Sequence, residues 1–192
     1  MGILNQYYKV IGEFEHLGDH AVVIADIAAG MVQNGTSFSQ TAIEELHVME
    51  GALREILDYT ENAFAVRSEE AARKIEPLVQ VVGELNTVLR RNHLRRMSLG
   101  QCDVYADSSF SNLGVEFRRV AALCSNVGVD TVVRIHPELA DHEHLYFESL
   151  HNGSDADFNA AYQDARVRYF RQLDELQEIL PSDELSPAQT QV

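Results

Sequence analysis

Three features of this sequence point to an all-α fold, an antiparallel bundle of long helices. Tyr7, Val10, Phe14, Leu17, Ala21, Ile24, Ala28 and Met31 recur at alternating three- and four-residue intervals, the mark of an amphipathic helix with one apolar stripe. Only four prolines interrupt 192 residues, and runs of Ala, Leu, Glu, Gln and Arg supply strong helix formers. No segment alternates apolar and polar residues as a half-buried strand would.

The first helix is expected over residues 3–32 and ends at Asn34-Gly35-Thr36-Ser37, where Gly35 suits a left-handed stop. A second, over 39–64, takes Ser39 as its N-cap. Its seam is Ile43, Leu46, Met49, Leu53, Ile56 or Leu57, Thr60 and Phe64. Ser68, followed by Glu69 and Glu70, opens a third helix reaching 97. Pro77 falls inside it, so that helix must kink or leave one hydrogen bond unmade, and Leu99-Gly100-Gln101 closes it. The fourth helix is expected over 103–133, stopped by Pro137. A short irregular or helical piece over 138–151 leads to Asn152-Gly153-Ser154, and Ser154 or Asp155 caps a last helix reaching 179. From Pro181 onward small, polar and acidic residues predict a disordered tail. The loops are short, so neighbouring helices should pack antiparallel.

Thirty acids against fifteen bases give a net charge of −15. That balance opposes binding to nucleic acid, whose phosphates need a basic footprint, and unaided adsorption to anionic lipid. Cys102 and Cys124 are too few for a disulfide framework. Cys124 stands on an apolar stripe and reads as a buried free thiol. No apolar run reaches the length of a membrane span and no signal peptide opens the chain, so it reads as a soluble protein of a reducing compartment. A Gly-rich phosphate loop, a Ser/His/Asp arrangement and a Cys-x-x-Cys pair are all missing, which points away from an enzyme.

Shifting the first helix by 103 residues places Tyr7, Val10, Phe14, Leu17, Ala21 and Ile24 on Phe110, Leu113, Phe117, Val120, Cys124 and Val127. Glu13 lands on Glu116. This reads as an internal repeat, and it predicts like environments for residues 7–31 and 110–134. The carboxylates are not repeated, because Arg118 and Ala122 stand where Glu15 and Asp19 would map.

Glu13-Phe14-Glu15-His16-Leu17-Gly18-Asp19-His20-Ala21 resembles the E-x-x-x-D signature of PhoU-type phosphate-regulatory domains, which are tandem three-helix repeats. A longer series follows in order: Ile75-Glu76-Pro77-Leu78, His93-Leu94-Arg95-Arg96-Met97, Gly100-Gln101-Cys102, Phe110 with Asn112-Leu113, and Cys124-Ser125-Asn126-Val127. That series is similar to the PhoU-like cytoplasmic region at the C-terminus of bacterial sodium–phosphate cotransporters. Residues 146–169, with Leu150, Gly153 and Phe158-Asn159, resemble the closing helix of that region, and the resemblance covers nearly all of 5–172.

The resemblance implies a PhoU-like division of the chain. Residues 1–36 would be the last helix of an incomplete first repeat, 37–134 a second three-helix repeat, 135–180 a C-terminal helical extension and 181–192 the tail. Met1 leaves no room for two preceding helices. Either the chain is a piece of a longer membrane protein or another chain supplies the partners, so the first helix is expected to mediate homo-oligomerisation. The implied function is a regulatory module of a sodium-dependent phosphate transporter, on the cytoplasmic side of the cell membrane. It would dock on the transporter membrane domain or a signalling protein. A free-standing phosphate-uptake regulator that binds a transporter or a sensor kinase is the alternative. The sequence departs from the family where Arg118, Ala122 and Leu123 replace the second acidic pair. It departs again at Gln80 and Gly83, where the third helix often carries acids.

Glu15 and Asp19, one turn apart, can both reach a cation above the helix surface. His16 and His20 lie roughly 100° further round and could contribute from the flank. In PhoU-like domains such a pair helps to hold surface iron or zinc, so the resemblance implies a divalent, iron or zinc cation there. The competing reading is a solvated acidic face. Glu13-x-x-His16 and Glu44-x-x-His47 match the pairs of di-iron bundles, a redox alternative, although Glu44 lies nearly opposite its helix's apolar seam. Arg90, Arg91, His93, Arg95 and Arg96 form the one basic cluster. They either complement a helix C-terminus or dock on an anionic surface. His136, His142 and His144, near Glu138, Asp141 and Glu143, read as a hydrated linker, and Asn126 as a group bonded at a helix crossing.

Overall fold

The computed structural model describes residues 3–139, 150–151 and 153–179. Within them lie α1 (Ile3–Asn34), α2 (Gln40–Val66), α3 (Glu69–Ser98), α4 (Asp107–Ile135) and α5 (Ala156–Ile179), with 3-10 turns at Val104–Ala106 and Pro137–Leu139. No strand occurs among the described residues, and the expected all-α class is what is observed. The expected tail, and His142 and His144, lie outside the described residues.

Local chemistry sets the helix ends. Ser39 and Ser68 each accept a hydrogen bond from the third residue onward, Ala42 and Ala71, at 3.3 and 3.1 Å. These bonds satisfy N–H groups that the helix itself cannot. Gly35 and Gly100 adopt φ of 64° and 70°, the left-handed stop that only glycine takes without strain. α2 ends differently, with Arg67 in the same region at φ 55° and its guanidinium donating to the Tyr7 hydroxyl of α1. α3 runs through Pro77, which is buried, so the proline leaves one bond unmade rather than ending the helix. Asp155 caps α5 by accepting from the Phe158 amide at 2.8 Å.

Helices α2, α3 and α4 pack mutually; α5 lies against α2 and α3, and α1 lies on α4. The core between α2, α3 and α4 holds Met49, Ile56, Ile75, Val81, Leu85 and Cys124, all out of solvent. α3 and α4 approach closely at Gly128, where an added Cβ would sit 3.0 Å from Ile75 Cδ1 and 3.3 Å from the Ala72 carbonyl oxygen. Of the expected seam of α2, Met49, Leu53, Ile56 and Thr60 are buried, Ile43, Leu46 and Phe64 are half-buried and Leu57 is exposed, while Ala42, Glu45, Val48, Ala52 and Ala63 complete the buried face.

The expectation of like environments for residues 7–31 and 110–134 is not met. α4 is covered by α1, α2 and α3, so that its residues 127–133 are all buried. α1 packs on α4 along one flank, with Tyr7 and Phe14 also touching α2, and Val10 is its one buried side chain among those described. The same apolar spacing therefore serves a central helix in one case and a peripheral one in the other.

The two faces of the first helix

The inner face of α1 is rotated from the apolar stripe read in the sequence. Val10, Glu13, Leu17, His20, Ile24, Ile27 and Met31 are buried or half-buried, while Phe14, Ala21 and Ala28 are exposed. Two polar residues turn inward because α4 presents buried carboxylates to them. Lys9 Nζ donates to Asp130 Oδ1 at 2.6 Å, and His20 Nδ1 meets Glu116 Oε2 at 2.5 Å. Both acids have side chains under a tenth exposed. Between these pairs Asn126 Nδ2 donates to Glu13 Oε1 at 3.2 Å, the helix-crossing bond expected of Asn126. Partners 9 with 130, 13 with 126 and 20 with 116 run in opposite order, so α1 and α4 are antiparallel. At one end Tyr7 and Phe14 meet Phe64 edge-on, at 6.3 and 5.2 Å between ring centres. Arg134 covers the rings of Tyr7 and Phe64.

The outer face carries Glu15, His16 and Asp19, all exposed. At about 100° per residue, Glu15 and Asp19 lie on the side opposite Leu17 and Ile24. The four expected metal ligands are therefore divided. His20 is bound to Glu116 on the inner side, and the others remain outside. Among the described residues no group of three or more His, Cys, Asp or Glu side chains is arranged to hold a metal ion.

The two Glu-x-x-His pairs do not converge. Glu13 is taken by Asn126 and His16 is exposed. Glu44 bonds Gln40 on its own helix, and with His47 it edges a shallow groove shared with Gln172 and Glu175 of α5. The basic cluster of α3 is also split: Arg90, Arg91 and Arg95 are exposed, whereas His93 and Arg96 are buried. Arg96 Nη2 donates to Glu45 Oε2 at 2.8 Å, and Asn92 Nδ2 donates to Glu45 Oε1 at 2.7 Å. Burial works against the Arg96 charge, but the hydrogen bond to Glu45, the Glu45 charge and the neighbouring Cys102 together outweigh it and hold the guanidinium pKa above its ordinary value. His93 stacks on Phe110 at 4.2 Å, with Nε2 3.3 Å from Asp107 Oδ1. Burial first, then the Arg96 charge, depress its pKa, so the ring is neutral at pH 7. These buried polar groups join α2, α3 and α4 at one end of the bundle. Their trace in the sequence is the spacing of Leu78, Val82, Leu85 and Leu89, which continues onto His93 and Arg96.

His136, expected in a hydrated linker, has Nε2 3.0 Å from Glu69 Oε2 and so ties the end of α4 to the start of α3. Compared with protein-family models, with curated proteins and with solved structures, the chain finds no match in any of the three.

Proposed function

We propose that this chain is a non-catalytic regulatory and interaction module of PhoU-like type, acting at the cytoplasmic side of a sodium-dependent phosphate transporter. The ordered series of segments from Glu13 to Asn159 carries the reading. A helical bundle that leaves one long helix face unoccupied supports the interaction part of it. Such a module would act by docking that face on a partner rather than by chemistry on a bound substrate. The acidic edge formed by Glu15, Asp19 and Asp26 would set the charge that a partner must accommodate.

Sodium-dependent uptake of labelled phosphate, measured in cells with and without residues 1–192 of this protein, tests the reading. The expected outcome is a changed uptake rate or a lost response to external phosphate. Identical uptake and identical response in both strains would overturn it.

A further inference from the structure

We propose that Arg67, Arg134 and Tyr7, where the start of α1 meets the ends of α2 and α4, bind a phosphate-type oxyanion. Arg67 Nη2 donates to the Tyr7 hydroxyl at 2.9 Å. Arg134 spreads over the rings of Tyr7 and Phe64, its guanidinium carbon 5.3 and 5.6 Å from their centres. That stacking accounts for the flat face of the Arg134 guanidinium but not for its edge. Nε and Nη2, the two donors that grip an oxyanion side-on, are out of solvent and have no acceptor among the described residues. Buried donors without an acceptor are costly, and a fold that keeps them calls for an ion or a water to receive them. Arg67 is exposed, so the site opens to solvent on that side.

The charges around the site point the same way. The chain carries thirty acids against fifteen bases, yet among the described residues no carboxylate pairs with either guanidinium. The other cations at this end of the bundle are taken: Lys9 by Asp130, Arg73 by Glu69, Lys74 by Glu70, and His136 by Glu69 and Glu138. Arg67 and Arg134 are left facing one hydroxyl, a pair of charges that a dianion matches. The hydrogen bond and charge of Arg67, then the charge of Arg134, hold the Tyr7 pKa below its ordinary value, with burial opposing. Both cations therefore act on the same oxygen. An anion that replaces this oxygen as the acceptor of Arg67 also meets Arg134 and the phenol O–H. Its oxygens serve donors that arrive from three helices, which suits a tetrahedral group better than a flat carboxylate. Arg67 is also the one residue other than glycine, among those described, with φ in the left-handed region. Glycine is the unstrained choice for such a helix end, and the reach of the Arg67 side chain offsets that backbone cost. The inference stands on these side chains alone, apart from the transporter reading.

Side-chain NMR of the full chain is the test. Inorganic phosphate, titrated at fixed ionic strength with chloride as the balancing anion, should shift the Nε–H signals of Arg67 and Arg134. Those of Arg90 and Arg91, exposed on α3, should stay in place. Phenyl phosphate in a parallel titration separates the two sources of the group: the tighter binder, free anion or ester, assigns the source, and each supports the site. Arg67→Gln, a change on the surface, should raise the phosphate dissociation constant about tenfold or more with helix content unchanged. Arg134→Gln should do the same, whereas Arg90→Gln should leave binding as it was. No shift of either signal, equal shifts at every arginine, or binding indifferent to Arg67→Gln would each overturn the proposal. Absent binding together with altered phosphate uptake in cells would strike this site and leave the transporter reading standing.

Discussion

Glu45 and Arg96 form an ion pair at 2.8 Å whose two side chains are at most a tenth exposed. A buried pair of this kind joins α2 to α3 without much net gain, because removing two charges from water offsets their attraction. Removing one member is a different matter. Arg96→Met should destabilise the protein by about 3–5 kcal/mol, since it leaves Glu45 charged and buried. The double change Glu45→Leu with Arg96→Met should recover most of that loss. Urea denaturation of the three variants is the check, and equal losses for the single and double changes would contradict it.

Acid should loosen α5 through Glu55. Arg168 donates twice to this carboxylate, at 2.7 and 3.0 Å, and the Tyr169 hydroxyl donates at 2.6 Å. Burial pushes the Glu55 pKa up, but the hydrogen bonds from Arg168 and Tyr169 outweigh it and leave it below its ordinary 4.5. A carboxyl depressed in the folded state adds stability above its unfolded pKa and loses it as pH falls through the folded one. Melting temperature should therefore drop as pH falls below about 4.5, and Glu55→Gln should flatten that acid limb while leaving the neutral limb parallel.

The two thiols should behave oppositely. Burial pushes the Cys124 pKa up to about 11, with a hydrogen bond from Thr60 opposing it, so almost no thiolate forms at neutral pH. Cys102 is half-buried beside the end of α3. A thiol-specific reagent should label Cys102 alone in the native protein and both cysteines in denaturant. Native labelling of Cys124 at a comparable rate would mean that the bundle opens there.

One substitution should change sign between two glycines of adjacent helices. Gly83 sits inside α3 with nothing within 4 Å of a new Cβ, so Gly83→Ala should stabilise by about 0.5–1 kcal/mol through the helix backbone. Gly128→Ala gains the same amount, but it must push aside Ile75, whose Cδ1 is 3.0 Å away, near the Ala72 carbonyl. Overpacking of a tight core costs about 1–3 kcal/mol, and the net should be destabilising. Thermal melts of the two variants decide the matter.

Hydrogen exchange should reveal α1 as the least protected helix, because it packs along one side only and Val10 is its one buried side chain among those described. His20→Ala leaves the buried Glu116 with Arg119, 3.0 Å away, as its remaining ion-pair partner. It should speed α1 exchange with little change in α3. Equal acceleration throughout would show that α1 unfolds only with the whole bundle.

Much of the bundle was legible because it is local. Ser39, Ser68, Gly35 and Gly100 act on backbone groups within a turn of themselves, and such chemistry can be read from neighbours in the chain. The seam of α2 could be drawn but not finished, since Ile56 and Leu57 fit the spacing equally and only the position of α3 and α4 selects Ile56. The candidate site was legible in half. Glu15 and Asp19 stand where helical spacing puts them, on the exposed side. His20 does not stay with them, because Glu116, far along the chain, draws it inward.

Spacing and caps alone established the five helices, their boundaries to within a few residues and the buried state of Cys124, because each depends on periodicity or on bonds inside one element. The long-range packing settled which flank of α1 turns inward, which basic residues of α3 become interior, and that two similar apolar stripes occupy unlike places. The physical reason is that a helix offers several faces of comparable hydrophobicity. Desolvated charges such as Asp130, Glu116 and Glu45, each needing a partner from a distant segment, decide among those faces only once the chain has closed on itself.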